Sequence, residues 1–333
     1  MRIALVAGPD GADADEQHGL AAALRNAGQQ VTEHGAGLEG RDGDVRALVP
    51  GFAAGLRSAW SRERPDVVHA FGWTGALAAL AAAREAGLPV VTAFESLAVT
   101  ERRHGPGPVQ MDRARLERAI GAASRAVIAA SGEEAGDLVR MGVSRRRVHV
   151  IPASVDTSVF TPDGPASRVP RGTKEAAVRV FVAAGIDDEQ SVAVSRAVAL
   201  VPSAELVACP AAAHGRKLAA VLRSADVFVD VPAHAPRGAR CLQAMACGVP
   251  VIASASGAHL DMMVDGTTGL LVAPGRPELL AARIRQLLGY PMLRKACGVA
   301  AADRARSRHS LDRVANEILA VYEAAAQDQL LVA

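Results

Sequence analysis

Ala235-Pro-Arg-Gly-Ala-Arg-Cys-Leu-Gln-Ala-Met-Ala-Cys-Gly-Val-Pro-Val-Ile-Ala-Ser254 is the stretch that decides the fold of this chain. It reads as a loop, the start of a helix, Gly248 and then a buried strand over residues 250–255. Glycine is frequent directly after helices because it adopts the left-handed conformation without steric cost. A helix followed at once by a short apolar strand is half of a βαβ unit, so this stretch predicts a parallel sheet.

Apolar runs and amphipathic stretches alternate along the rest of the chain. Residues 1–8 form an apolar run that ends in glycine, which is typical of a buried parallel strand. Residues 17–27 repeat apolar side chains at helical spacing and are followed by Gly28. This alternation favours doubly wound parallel sheets with right-handed crossovers. Further strands are predicted at 30–33, 65–70, 88–94, 125–130, 148–152, 177–184, 204–209, 226–231 and 269–272, and further helices at 45–62, 74–86, 108–122, 132–141, 190–200, 214–223, 237–247, 278–288 and 311–326.

Residues 161–177 interrupt this alternation. They contain three prolines and show no hydrophobic periodicity, which is typical of a linker. We therefore predict an α/β protein of two facing, doubly wound, Rossmann-like domains, with a cleft at the carboxyl ends of their strands. The predicted organisation is a first domain over 1–163, a linker over 164–176, a second domain over 177–310 and a last segment, 311–333, that returns to the first domain.

The composition argues against several classes of protein. A chain of 333 residues is long enough for two domains, and its net charge of +2 gives no reason to expect a nucleic acid or a membrane surface as partner. No apolar run reaches the roughly 18 residues that a membrane span needs, and the start of the chain does not resemble a signal peptide. The four cysteines lack metal-ligand spacing. We therefore expect a cytoplasmic protein with buried thiols and no transmembrane segment.

Several motifs together resemble one enzyme family. Residues 235–254 and 264–272 look like the donor-binding half of a retaining glycosyltransferase of family 4, whose fold is GT-B. Residues 66–75, 115–117 and 151–162 are similar to other parts of the same family. Within it, the chain resembles the actinobacterial type that glycosylates inositol phosphate or a related small acceptor. The resemblance implies sugar transfer from a nucleotide-sugar donor to a small or polyol-type acceptor, with no metal and no other cofactor.

The chain departs from this family at the donor side. The family has a glutamate before the helix and a second one eight positions later, which accepts hydrogen bonds from the ribose hydroxyls; here these positions are Ala235 and Gln243. The family also has an arginine and a lysine that neutralise the leaving diphosphate. Residues 185–192 contain three acidic residues and no basic residue instead. Because a departing diphosphate accumulates negative charge, this loss predicts weaker stabilisation of the transition state.

The remaining donor-side candidates surround the predicted helix start. By resemblance, Gly185, Gly238 and Gln243 contact the donor, and the helix start offers backbone N–H groups to an anion. Arg237 and Arg240 flank this start. They either replace part of the lost positive charge or are two exposed arginines of a first helical turn.

On the acceptor side, three candidates follow predicted strands. Gln17 and His18 come after an acidic loop at the end of the first strand, where family members place a polar residue beside the donor phosphates. Glu95 stands where the family has a histidine close to the transferred sugar. Glu95 is therefore the catalytic candidate, as a base or as an acceptor for a sugar hydroxyl; the alternative is a solvated side chain.

A second acceptor-side group combines aromatic and basic residues. His69 and Trp73 either line the acceptor site or pack in the core. Arg102, Arg103 and His104 form a basic cluster that we place on a loop. Similar clusters in the family meet an anionic acceptor; the alternative is a solvated loop. Arginine suits a phosphate because its planar guanidinium donates two parallel hydrogen bonds.

Two functions follow from these residues. The first is a retaining glycosyltransferase that acts on a nucleotide sugar and a small acceptor. The alternative is a catalytically impaired pseudoglycosyltransferase that binds a ligand or a partner glycosyltransferase.

Overall fold

The computed structural model describes residues 1–9, 14–35, 45–105, 111–167, 178–182, 188–210 and 213–330. The chain divides into two compact units. The first unit contains residues 1–151 and 311–333, and the second contains residues 152–310. Residues 152–163, assigned to the first domain from the sequence, thus belong to the second unit. The predicted linker lies largely outside the described residues.

The first unit is built on a six-stranded parallel sheet in the order β2-β1-β3-β4-β5-β6. Its central strands are buried over their whole length and are mostly apolar, which is why the sequence shows hydrophobic runs at these positions. The strands are β1 (Arg2–Ala7), β2 (Gln30–Gly35), β3 (Val67–Phe71), β4 (Val90–Ala93), β5 (Ala126–Ala129) and β6 (Val148–Val150).

Helices cover both faces of this sheet, and one of them comes from the end of the chain. The helices are α1 (Ala14–Asn26), α2 (Val45–Arg62), α3 (Gly72–Ala86), α4 (Ala98–His104), α5 (Met111–Ala123), α6 (Gly132–Arg140) and the last helix of the chain, Leu311–Leu330. That last helix packs against α1, and its Tyr322 hydroxyl lies 2.5 Å from Nδ1 of His69. His69 is therefore part of the core of the first unit.

The second unit contains a five-stranded parallel sheet in the order β11-β10-β9-β7-β8. Its strands are β7 (Val178–Val182), β8 (Ala204–Ala208), β9 (Val227–Asp230), β10 (Val251–Ser254) and β11 (Leu270–Val272). Its helices are α7 (Asp188–Ala199), α8 (Gly215–Arg223), α9 (Ala239–Ala246), α10 (Ala258–Met262), α11 (Pro277–Gly289) and α12 (Pro291–His309), so that the last helix of the chain is α13.

Helix α12 packs closely against the segment that links α9 to β10. A Cβ atom on Gly298 would lie 2.3 Å from the carbonyl oxygen of Gly248, so only a glycine fits at this crossing. At its other end, Nδ1 of the buried His309 lies 3.1 Å from the carbonyl oxygen of Ala153. The backbone N–H of Val155 donates to the carbonyl of His309 at 2.8 Å. These hydrogen bonds hold residues 153–155 against the end of α12.

Two sequence predictions were wrong in detail. Helix α12, with 19 residues, was missed, because its mixture of alanines and charged residues lacks a clear apolar stripe. Arg102, Arg103 and His104 lie on α4 and not on a loop. Helix α2 spans Val45–Arg62, as predicted, and continues through Pro50.

Two further properties concern the whole described chain. None of the helices in the described ranges is long and apolar enough to cross a membrane. The expectation of buried thiols is confirmed, since all four cysteines are buried and free. Burial raises the pKa of the Cys247 thiol to about 12, so this group is neutral at physiological pH.

Candidate functional site

The strand order of each sheet predicts one ligand-binding crevice in each unit. In a doubly wound sheet, ligands bind outside the carboxyl ends of the strands, where the strand order reverses. In the first unit this point lies between β1 and β3, where Ala7 pairs with Phe71. In the second unit it lies between β7 and β9, where Val182 pairs with Val229. The loop after β7, which includes Gly185, lies outside the described residues.

The crevice of the first unit is shaped by a close approach between α3 and β1. A Cβ atom on Gly75 would lie 2.7 Å from the backbone nitrogen of Gly8 and 3.2 Å from the carbonyl oxygen of Val6. Because Gly75 has no Cβ atom, the first turn of α3 can pack directly against the backbone at the end of β1. Trp73, in the same turn, is half-buried.

The acceptor-side candidates of the first unit differ in exposure. Gln17 is buried on α1, with 9% of its surface exposed, whereas His18 is exposed, with Nε2 3.6 Å from Oε2 of Glu33. Glu95 lies two residues beyond the end of β4 and is half-buried. Glu95 therefore lies at the carboxyl end of the sheet, where a ligand of a parallel sheet is expected.

The basic cluster on α4 is largely paired within the first unit. Arg103 donates to Oε1 of Glu133 at 3.0 Å and also forms an ion pair with Asp137, while Nε2 of His104 lies 2.7 Å from Oε1 of Glu133. Burial raises the pKa of Asp137, but hydrogen bonds from Arg103 and other donors outweigh it and the pKa is lowered. Arg102 is exposed and forms no ion pair with the described residues, so it is the cation of this cluster most available to a ligand.

A buried carboxylate supports the loop before α4. Glu117 is fully buried and accepts a hydrogen bond from the backbone N–H of Ala98 at 2.9 Å. The guanidinium of Arg113 donates to Glu117 at 2.7 Å and to the backbone carbonyl of Ser96 at 2.9 Å. Burial raises the pKa of Glu117 to about 7, against the opposing effect of these donors. Glu117 and Arg113 thereby fix the segment that follows Glu95.

In the second unit, Gly238 begins helix α9 in the left-handed conformation. Its φ of 64° favours glycine, and no side chain caps the helix. A Cβ atom at this position would lie 2.9 Å from Cδ2 of His259 and 3.1 Å from Cε of Met262. The exposed N–H groups of the first turn and the positive end of the helix dipole can therefore bind an anion.

The imidazole beneath Gly238 is buried and ion-paired. Nε2 of His259 lies 3.3 Å from Oδ2 of Asp230, and Nδ1 lies 3.2 Å from the carbonyl oxygen of Ser254. Burial lowers the pKa of His259, but interactions with Cys241 and with the Asp230 carboxylate together outweigh it, and the pKa is raised. Burial also raises the pKa of the neighbouring Cys241 thiol.

Comparisons with known proteins agree on one family. The model of Glycosyltransferase Family 4 matches residues 6–159, and that of Glycosyl transferases group 1 matches residues 176–304. The D-inositol 3-phosphate glycosyltransferase of Xylanimonas cellulosilytica is 30% identical, over 86% of this chain and 79% of that protein. This chain is a member of glycosyltransferase family 4.

Other similar proteins support the fold of this family 4 member. The alpha-maltose-1-phosphate synthase of Mycolicibacterium smegmatis is 29% identical, over 84% of each chain. Sucrose-phosphate synthase from Thermosynechococcus elongatus superposes with a TM-score of 0.82 at 19% identity, over 97% of this chain and 98% of that chain. HepE from Anabaena, solved in complex with UDP-glucose, gives a TM-score of 0.74 at 14% identity, over 97% and 100%. The predicted GT-B fold of two parallel-sheet α/β domains is confirmed.

In this family 4 member, the surroundings of Ala235 differ from those of Gln243, the two positions where the family has glutamate. Ala235 is buried, and its carbonyl accepts a hydrogen bond from the N–H of Ala258 at 2.8 Å. Gly257 lies so close that a Cβ atom there would be 2.1 Å from the Ala235 oxygen. Gln243 lies on α9, and its Oε1 atom is buried without a hydrogen-bond partner among the described residues. A backbone hydrogen bond thus holds the loop at Ala235, whereas the Oε1 atom of Gln243 accepts no hydrogen bond from the described residues.

The two arginines that flank the start of α9 are half-buried. Nη1 of Arg240 donates to the backbone carbonyl of Ala213 at 3.3 Å. This partner is neutral, so Arg240 keeps its full positive charge next to the helix start. Arg237 directly precedes Gly238.

Sequence reasoning missed the pair His259 and Asp230 in this family 4 member. Asp230 was included in a predicted strand and His259 in a connecting segment, and the two are 29 positions apart. A polar residue at the carboxyl end of an otherwise apolar strand was the available signal, because such positions face the ligand side of a parallel sheet.

Proposed function

We propose that this family 4 member is a retaining glycosyltransferase that takes a sugar from a nucleotide-sugar donor bound at α9. The observation that carries the proposal is the buried Oε1 atom of Gln243, which has no hydrogen-bond partner among the described residues. A buried acceptor without a partner costs about 1 to 3 kcal/mol, so a ligand hydroxyl that donates to it is favoured. The position is that of the family glutamate that accepts from the donor ribose.

The start of α9 is proposed to bind the donor diphosphate. Gly238 lies five residues before Gln243, which corresponds to about 7.5 Å along the helix. A ribose at Gln243 and a diphosphate at the first-turn N–H groups are therefore compatible with one nucleotide. Arg237 and Arg240 contribute the positive charge next to this site, and the proposed transfer uses no metal ion.

The acceptor is proposed to be a small polyol or sugar phosphate. Support comes from the similar proteins, which include glycosyltransferases named for inositol 3-phosphate and a synthase of maltose 1-phosphate. Exposed Arg102 is the proposed cation for a phosphate on the acceptor. Glu95 is proposed to act on the reacting group of this acceptor, and Gln17, His18 and Trp73 are further candidates for contacts with it.

A second candidate is a pseudoglycosyltransferase that binds the donor without efficient transfer. The observation that favours it is Ala235, whose buried methyl group stands in place of a carboxylate. Gln243 is neutral where the family has a charge, and neutral hydrogen bonds are about half as strong as charged ones. Loss of one preorganised transition-state contact alone costs about 10² to 10³ in rate.

Calorimetric titration with UDP-, GDP- and ADP-glucose, combined with an assay for product and for free nucleotide, separates the two candidates. Tight binding with turnover supports the transferase, and tight binding without turnover supports the pseudoglycosyltransferase. The Arg237→Ala, Arg240→Ala double variant should weaken binding at least tenfold, because a charge-assisted hydrogen bond contributes about 1.5 to 3 kcal/mol. Arg216→Ala, an exposed change on α8, is the matched control. Absence of binding by any nucleotide sugar would contradict both candidates.

A further inference from the structure

The first unit contains a cavity that neither sugar transfer nor donor binding uses. Its volume is about 700 Å³, which lies within the range of about 300 to 1,000 Å³ that is common for small-molecule sites. Leu77 and Leu80 of α3 form one wall, and Leu88 and Val90 form another. Most of the lining is apolar, so a hydrocarbon group would lose contact with water on entering it.

Three arginines line the same cavity. They are Arg84 at the end of α3, Arg125 just before β5 and Arg147 just before β6. Arg84 is exposed and forms no ion pair with the described residues. Nη1 of Arg147 donates to the backbone carbonyl of Ala122 at 3.1 Å, a neutral partner that leaves the charge in place.

No acidic residue lines this cavity within the described part of the chain. An anion that enters this cavity therefore meets positive charge and no carboxylate of the lining. Guanidinium groups also match carboxylate and phosphate oxygens through two parallel hydrogen bonds. The lining of the cavity therefore combines apolar side chains with positively charged ones.

The cavity lies on the opposite edge of the sheet from the candidate catalytic residues. Val90 is the first residue of β4, and Arg125 immediately precedes β5, so both lie at amino ends of parallel strands. Glu95 follows the carboxyl end of β4. Strand β4 thus separates this cavity from the candidate acceptor site.

We propose that this cavity binds an anionic amphiphile, a molecule with a carboxylate or phosphate head and an aliphatic tail. The tail packs against Leu77, Leu80 and Leu88, and the head accepts hydrogen bonds from Arg84 and Arg125. The proposal commits to a single amphiphile molecule inside the cavity. It does not depend on whether the protein transfers sugar.

Calorimetric titration of the full-length protein with decanoate and decyl phosphate, below their micelle concentrations, tests the proposal. Decanol and inorganic phosphate are the matched probes that carry only the tail or only the head. Saturable binding of decanoate or decyl phosphate is expected, at least tenfold tighter than binding of either matched probe. Equal binding of decanol would contradict the role of the arginines.

Variants then locate the site. Ala81→Trp adds a large side chain at an exposed residue of the lining and should abolish binding by filling the cavity. The Arg84→Gln, Arg125→Gln double variant should weaken binding at least tenfold, and Arg57→Ala, an exposed change on α2, should leave it unchanged. Because Ala81 is exposed, its variant is expected to fold even if the double variant does not. Binding that survives Ala81→Trp, or no binding of either anionic amphiphile to the wild type, overturns the proposal.

Discussion

Nε2 of His259 lies 3.3 Å from Oδ2 of Asp230, and the same imidazole lies directly beneath Gly238 at the start of α9. The ion pair connects the carboxyl end of β9 to α10. The His259 ring also packs against Gly238, which has a left-handed backbone conformation. The backbone that is proposed to bind a diphosphate therefore rests on a buried charged pair. Breaking one partner of such a pair is expensive, because the other charge stays buried.

Asp230→Asn is expected to destabilise the protein in a pH-dependent way. The pKa of His259 is raised above its value of 6.5 in the unfolded chain, so the pair contributes fully below pH 6.5 and loses this contribution as the pH rises towards the raised value. The loss of unfolding free energy should be about 3 kcal/mol or more near pH 6 and smaller near pH 9. Urea unfolding over this pH range measures it. Asp303→Asn, at an exposed ion pair, is the control and should change stability by less than about 1 kcal/mol. A loss that grows with pH would contradict the assignment.

Gly238→Ala should cost more stability than Gly266→Ala. Both glycines have positive φ, 64° and 75°, so alanine strains the backbone at either position by about 1 to 2 kcal/mol. A Cβ atom on Gly238 also meets His259 at 2.9 Å, whereas nothing lies within 4 Å of one on Gly266. The difference between the two variants therefore measures the close contacts with His259 and Met262. Thermal unfolding of both variants measures it, and equal losses would show that the imidazole simply moves aside.

The sequence predicted the parallel sheets and the start of α9 because these depend on local patterns. Continuous apolar runs define buried strands, and Gly248 marks the end of α9. It could not predict the pairing of His259 with Asp230, since two residues 29 positions apart carry no joint local signal. The pairing of Arg103 and His104 with α6 was missed for the same reason, and it leaves Arg102 as the accessible cation.

Glu117→Gln should remove a pH dependence of stability. The pKa of Glu117 is raised by burial to about 7 from 4.5, so the folded protein holds this proton more tightly than the unfolded chain. Its contribution is fully present below pH 4.5 and is lost as the pH rises through 7, by about 3 kcal/mol in total at 1.36 kcal/mol per pKa unit. Urea unfolding between pH 4.5 and 7.5 should show the wild type losing stability relative to the glutamine variant. A constant difference would mean that Arg113 keeps Glu117 ionised throughout.

Gly298→Ala and Gly55→Ala should change stability in opposite directions. Alanine in a helix interior is favoured over glycine by about 1 kcal/mol, and Gly55 lies on an exposed part of α2 with nothing within 4 Å of an added Cβ. Gly55→Ala should therefore stabilise the protein by about 0.5 to 1 kcal/mol. On Gly298 the added atom would lie 2.3 Å from the Gly248 oxygen, so α12 must shift away from the segment that links α9 to β10. Gly298→Ala should destabilise despite its better helix propensity, and a stabilised variant in chemical unfolding would contradict this packing.

Gln243→Glu should strengthen donor binding, whereas Gln243→Leu should weaken it. The Oε1 atom of Gln243 is buried without a partner, and a carboxylate there would accept stronger hydrogen bonds from ribose hydroxyls than an amide does. We expect about tenfold tighter binding of a nucleotide sugar for the glutamate variant, measured by calorimetry. Turnover should not rise in parallel, because the carboxylate adds nothing to neutralise the departing diphosphate. Leucine has a similar size but accepts no hydrogen bond, so unchanged binding by the leucine variant would remove Gln243 from the donor site.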